Sequence, residues 1–437
     1  MKTFIYDREE NGVFLPNGYH LDYEYVQDPT KYKDKYGFEK TVHFLGATDS
    51  IKVEKKLSSE VEEDFIYPVD QFGAIEKLIG EDEMYSEYCF LNHIKKDTLK
   101  KLQNRKGHIY VFALEESRLH TQSLIFLHKK LNEFGILPSQ LIYLTGNNWS
   151  AYEEYVAACD KWFEQERLTI INTNSQMYLK AHDLLTGQRN NNVVRSREFY
   201  EEKKRKHQFL CFNRRIRPPR YCMIAMLYDN NLLTNNLVSF SIEDKHDLNC
   251  LGRGGKPDLD TMRKILGKTD INSRYISYYD ELKKLSPMTV DYSNLLEVMG
   301  PGCENKQPYL DTYFSIVTET SFNEDTWCLT EKIWRPIIHY HPFIIQGSPY
   351  TLKQLKDLGF KSFSPYINES YDEETNVKKR MEKLTEEIVR ICSMSREEMH
   401  EWYYGMKDIL IYNRAHLQGY GNQFFTYLNE SINAIQH

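Results

Sequence analysis

From residue 107 onward the chain alternates at short intervals between runs that are apolar end to end and segments whose apolar residues recur every three or four positions. GHIYVFAL (107–114), SQLIYLTGN (139–147) and RLTIINTN (167–174) are of the first kind. HTQSLIFLHKKLNEFG (120–135) is of the second, with Leu124, Leu127, Leu131 and Phe134 on one face and Gly135 as a stop. NWSAYEEYVAACDKWFEQE (148–166) is another such segment, capped by Ser150 or Asn148. Short buried strands joined by helices predict a parallel sheet with helices over it.

The alternation then repeats. HQFLCFN (207–213) and NLVSFS (236–241) are strands around a helix at PPRYCMIAMLYDNNLL (218–233). TYFSIVTET (312–320), CLTEKIWRPIIH (328–339), PFIIQG (342–347) and YTLKQLKDLGF (350–360) continue as strand, helix, strand and helix. Two long amphipathic helices follow at 376–394 and 396–416. Before residue 107 the signal is weaker: TVHFLGA (41–47) and DFIYPVD (64–70) predict strands, and 71–84 a short helix or turn. The charge-dense stretch 186–206 predicts a linker. The expected fold class is α/β: two doubly wound, Rossmann-like domains at 1–190 and 207–415, with a helical tail over 416–437.

In 437 residues the net charge is −7, which does not favour a general nucleic-acid binder. The eight cysteines form no Cys-x-x-Cys pair and predict reduced core thiols. The N-terminus lacks an apolar signal core and no apolar stretch reaches membrane-spanning length, so a cytoplasmic protein without a membrane span is expected. The 32 tyrosines include rings that suit sugars or bases, because a ring stacks while its hydroxyl bonds.

Open α/β sheets place ligands at the carboxyl ends of their strands. After strand 312–320 stand Glu319, Glu324 and Asp325, then Thr330-Glu331-Lys332 at a helix start. Thr330 suits a cap, and Lys332 opposes the positive helix end by ~0.3–1 kcal/mol, which points to an anion there, most simply phosphate. An ordinary charged surface helix is the alternative. Strand 207–213 runs into arginines at 214, 215, 217 and 220, whose forked guanidinium suits phosphate oxygens, against a solvated basic turn. Strand 107–114 runs into Glu115, Glu116 and His120, candidate bases for a hydroxyl.

The run TETSFNEDTWCLTEKIWRPIIHYHPFIIQG (318–347) resembles the donor-binding motif of α1,3-fucosyltransferases. That motif is F-E-N-S, an acidic position, T-E-K-L-W/F, then a strand ending P-V-V-x-G. Glu319, Ser321, Asp325, Thr330, Glu331, Lys332, Trp334, Pro342 and Gly347 match; Thr320 stands where the family has Asn. FLCFNRRIRPPR is similar to the family's strand ending in Ser-Asn followed by a diphosphate-contacting Arg: Asn213 matches, Phe212 replaces Ser, and Arg220 is best placed. VFALEES is similar to the W-x-x-x-E-S-P segment that carries the base; Glu116-Ser117 match, with Arg118 in place of Pro.

The resemblance implies a GT-B architecture facing across a cleft and inverting transfer from a nucleotide sugar, GDP-fucose favoured, to a hydroxyl of a carbohydrate acceptor, with no metal or other cofactor required. By it Glu116 is the catalytic base. Asn213, Arg220, Glu319, Ser321, Asp325, Thr330, Glu331 and Lys332 bind the donor. Two rivals start from other residues. Asp258 and Asp260 are spaced to hold a divalent cation on a diphosphate, or to cap a helix. KKRKHQ (203–208) with the arginine run is the feature that would suit nucleic acid.

Overall fold

A computed structural model of the chain describes residues 2–7, 9–10, 13–14, 17, 53–70, 89–113, 121–145, 148–149, 151–162, 166–172, 191–213, 218–242, 273–288, 290, 305–319, 322, 326–327 and 329–434. Two units divide the chain: Met1–Gln176 with Asn422–His437, and Met177–Gly421.

The first unit carries a parallel six-stranded sheet. Its strands are β1 (Lys2–Tyr6), β2 (Val53–Leu57), β3 (Phe65–Asp70), β4 (Gly107–Ala113), β5 (Leu141–Thr145) and β6 (Thr169–Asn172), in the spatial order β2-β1-β3-β4-β5-β6. The crossovers run through helices α1 (Lys96–Gln103), α2 (Thr121–Glu133) and α3 (Ala151–Trp162). Every residue of β5 is buried, as expected of a strand covered on both faces. Gly107 pairs with Phe65, and a Cβ on Gly107 would stand 2.5 Å from the Phe65 ring, so the close strand approach requires glycine.

The second unit carries a parallel four-stranded sheet: β7 (His207–Asn213), β8 (Leu237–Phe240), β9 (Thr312–Thr318) and β10 (Phe343–Gln346), in the order β8-β7-β9-β10. Helices α4 (Ser196–Tyr200), α5 (Pro218–Asp229), α6 (Tyr279–Leu285), α7 (Glu331–Ile338) and α8 (Thr351–Asp357) belong to the same unit, with α9 (Val377–Cys392) and α10 (Arg396–Gly405). α5 is buried from Pro219 through Leu227, so it is a core helix with no solvent face. The fold class is thus the expected α/β with two parallel, helix-covered sheets. A final helix, α11 (Lys407–Ala434), runs unbroken past residue 416. No helix among the described residues is long and apolar enough to cross a membrane.

Residues 191–206 are not the solvated connector that their charge predicts. Val193, Val194 and Phe199 are buried in the core of the second unit, and the Phe199 ring stacks on Tyr340 at 4.4 Å. Arg205 is buried as well: it donates to the carbonyls of Tyr309 and Thr312 and to the Tyr403 hydroxyl, and its guanidinium lies 4.2 Å from the Tyr403 ring centre.

Two further buried arginines follow the same pattern. Arg414 donates to the Val194 carbonyl and lies over Tyr340; Arg380 donates to the carbonyls of Glu374 and Phe322 and lies over Phe322. Carbonyl oxygens and ring faces satisfy the cation there. Burial lowers Arg380 and Arg414 to about 10, still far enough above neutrality to keep the charge.

Candidate functional site

In the second sheet the strand order reverses between β7 and β9, and an open α/β sheet offers its ligand crevice at such a switch point, beyond the carboxyl ends of the strands. Asn213, Thr318 and Gln346 end β7, β9 and β10; Thr318 pairs with Gln346, and its hydroxyl donates to the Asn213 side-chain oxygen. The Asn213 amide donates in turn to the Cys211 thiol at 3.1 Å. Burial pushes that thiol up to about 12, against the downward pull of the Asn213 bond and the Arg220 charge. Asn213 is fully buried and spends these contacts inside the fold, holding the ends of β7 and β9 together.

Arg220 sits in the first turn of α5 and is 6% exposed. Two prolines, Pro218 and Pro219, precede it in the helix. Proline lacks the N–H, so this helix end presents fewer backbone donors to an anion than most. An anion at this helix end would meet the guanidinium in place of those donors.

The chain after β9 makes the other half of the site. Glu319 follows the strand directly and is 3% exposed. Its carboxylate accepts from the Thr330 hydroxyl at 2.7 and 3.0 Å, across eleven positions of sequence. Thr330 is the N-cap of α7, as expected: its hydroxyl oxygen accepts from the Lys332 backbone N–H at 3.3 Å. The Lys332 ammonium donates to the same oxygen at 3.0 Å and pairs with Glu331 at 3.2 Å and Glu319 at 3.8 Å. One hydroxyl therefore joins a buried carboxylate, a helix end and a lysine.

These contacts give Lys332 a reason to sit at the positive end of a helix. Glu319 and Glu331 offset its repulsion from the dipole, where the sequence alone pointed to a bound anion. Burial acts to raise the Glu331 carboxyl, but the charges of Lys332 and Arg335 outweigh it and hold the group at about 2. Glu331 is therefore ionised at neutral pH, and Lys332 and Glu331 keep partly exposed side chains while Glu319 and Thr330 do not. What faces outward is a lysine and a carboxylate, fixed from beneath.

Of the predicted site residues, the structure thus gathers Asn213, Arg220, Glu319, Thr330, Glu331 and Lys332 at one edge of one sheet. Glu116, Ser321 and Asp325 lie outside the described residues, as do Glu115, His120, Asp258 and Asp260. The basic run at 203–206 is spent on the fold: Lys203 pairs with Glu201, Lys204 with Glu397 and Lys206 with Asp311, and Arg205 is buried. The rest of the feature that would suit nucleic acid, Arg214, Arg215 and Arg217, lies outside the described residues.

Two residues near strand ends escaped the sequence reading. Gln346 stands directly before Gly347 in PFIIQG, at a position the motif leaves open. In the first unit, Asp7 follows β1, where that sheet's own order reverses between β1 and β3. Its buried carboxylate accepts from the Tyr67 hydroxyl at 2.8 Å, the Thr98 hydroxyl at 2.6 Å and the Lys95 N–H at 3.0 Å. An aspartate so fully supplied with donors fastens β1 to β3 and to the start of α1. Only its place after a short apolar run marked it.

No protein-family model matches this chain, and no curated protein matches it significantly. Among solved structures, it is similar to a UDP-forming α,α-trehalose-phosphate synthase from Burkholderia xenovorans, with 11% identity and a TM-score of 0.43 over 93% of this chain and 79% of that one. The structure described as that organism's α,α-trehalose-phosphate synthase (UDP-forming) in complex with glucose-6-phosphate gives 10% identity and a TM-score of 0.40, over 87% and 75%. Superposition and identity at this level decide nothing about the site, and the fold described above rests on its own strands.

Proposed function

We propose that the chain is a glycosyltransferase of GT-B type that takes a nucleoside-diphosphate sugar as donor and passes the sugar to a hydroxyl of a carbohydrate acceptor. The single observation that carries this reading is the placement of Arg220 and Lys332 in the first turns of two different helices, which follow the two strands flanking the switch point of one parallel sheet. Cations so placed suit a pyrophosphate, which gains negative charge as the glycosidic bond to it breaks. Groups fixed in advance where charge develops lower the barrier without reorganising, and losing one such group typically costs ~10²–10³ in rate. The low exposure of Arg220 strengthens its attraction for phosphate, since little water competes.

In this reading Glu319 and Thr330 hold Lys332 in place, and Glu331 faces donor hydroxyls. Ser321 and Asp325 belong to the same segment and complete the donor side. The resemblance to α1,3-fucosyltransferases favours GDP-fucose and inversion, with Glu116 taking the proton from the acceptor hydroxyl as its oxygen attacks the anomeric carbon and the nucleoside diphosphate leaves. Transfer carried by protein cations needs no metal and no further cofactor. A cytoplasmic site of action accords with the buried free cysteines among the described residues.

A thermal-shift panel with GDP, UDP, CDP and ADP tests the reading, because a ligand bound only by the folded state stabilises it. GDP is expected to give the largest shift and Lys332→Ala to abolish it. Absence of a shift with every nucleotide removes the transferase reading. A shift that survives Lys332→Ala removes Lys332 from the phosphate site.

A further inference from the structure

The two cations stand on different helices, and one uncharged residue touches the support of each. Gln346 ends β10 and is fully buried. Its backbone carbonyl accepts from the Glu319 N–H at 2.9 Å. Glu319 in turn holds the Thr330 hydroxyl, which contacts Lys332. The Gln346 side-chain Nε2 reaches the other way and donates to the Pro219 carbonyl at 2.9 Å. Pro219 is the residue before Arg220 in the first turn of α5. The Met381 sulfur of α9 lies 3.5 Å from the same nitrogen and backs the amide from behind.

We propose that Gln346 is a positioning residue that sets the spacing between Arg220 and Lys332, and with it the fit of the site to a diphosphate. The inference rests on the transferase reading and adds a residue to it. The chemistry of the turn favours transmission. Proline rings fix φ at Pro218 and Pro219, so holding the Pro219 carbonyl leaves the Arg220 Cα little freedom. A carbonyl has two lone pairs, so Pro219 can accept from Gln346 as well as from its own helix. The strand-end amide is thus a strut: one end bears on the Arg220 turn, the other on the Glu319–Thr330–Lys332 chain. A hydrophobic residue would fill the same space without joining the two.

The test uses the full chain, with titrations of GDP and of guanosine, which lacks the phosphates. Gln346→Met keeps length and flexibility but removes the donor. Gln346→Glu keeps the shape and turns an acceptor toward the Pro219 carbonyl. Loss of one positioning hydrogen bond predicts about three- to tenfold weaker GDP binding in either variant, with guanosine affinity held within about twofold. In an Arg220→Ala background Gln346→Met is expected to change GDP affinity by less than about twofold, because effects that act through one partner do not add. Variants that bind GDP like the wild type overturn the inference. So does weakening of GDP and guanosine alike, or an effect that adds in full to Arg220→Ala. Wild-type protein that binds no nucleoside diphosphate removes the transferase reading and the inference together. Should Gln346→Met fail to fold, Gln346→Glu carries the same measurement.

Discussion

Thr330→Val separates the cap from the space it occupies. Valine matches threonine in shape, so the fully buried site is neither emptied nor overfilled. What disappears is the hydroxyl, and with it two kinds of bond. The Lys332 N–H loses its cap, which typically costs about 0.5–2 kcal/mol. Glu319 loses the donor that approaches it at 2.7 Å, and a buried carboxylate deprived of a donor costs about 1–3 kcal/mol. Together these predict a loss of roughly 1.5–5 kcal/mol. At about 2–4 °C per kcal/mol for a unit of this size, the melting temperature should fall by roughly 3–20 °C. Urea unfolding followed by tryptophan fluorescence measures it, with Trp334 one turn beyond the cap as a local reporter. Thr330→Ser retains the hydroxyl and should stay much closer to the wild type. A valine variant within about 0.5 kcal/mol of wild type, or a serine variant as damaged as valine, would refute the account of the hydroxyl as the joint of the site.

Two further outcomes follow from the core. His341 is held neutral, well below the ordinary histidine range, first by burial and then by the Arg205 charge, while its ring bonds to Ser315 and to the Tyr309 and Thr312 carbonyls. Its folded pKa is depressed, so the unfolded chain binds the proton more readily. The stability it contributes is present above about pH 6.5 and declines on acidification by up to about 1.4 kcal/mol per pH unit. Urea midpoints from pH 7.5 to 5 should fall more steeply for wild type than for His341→Gln; parallel profiles would contradict this. Gly107→Ala places a Cβ 2.5 Å from the Phe65 ring and should cost about 1–3 kcal/mol, partly recovered by adding Phe65→Leu; urea unfolding of both variants decides.

The sequence disclosed elements in proportion to how uniformly they are buried. β4, β5, β7, β9 and β10 are apolar runs bounded by turn residues, and each lies within the range expected for it. β1 was missed because Thr-Phe-Ile-Tyr is four residues long in polar surroundings, and β2, Val-Glu-Lys-Lys-Leu, because it is an edge strand with charged residues. The stretch 186–206 misled for a different reason. Arg205 counts as a solvated charge in any composition, and only the tertiary fold supplies the carbonyls and rings that let it be buried. At the site, local spacing gave the Thr330 cap, while among the four arginines after β7 only the resemblance singled out Arg220. It could not give the Glu319–Thr330 bond or the Gln346 strut, since both join residues far apart in sequence.

The buried arginines have one more consequence. Arg205, Arg380 and Arg414 hydrogen-bond to main-chain oxygens and lie against aromatic faces, where dissolved ions do not reach. Added electrolyte weakens attraction between charges in contact with solvent and hardly touches those shielded from it. If the lysine-bearing rim holds an anion as proposed, brine should therefore loosen it well before it loosens the scaffold beneath. Grip and frame would then answer to different properties of the medium.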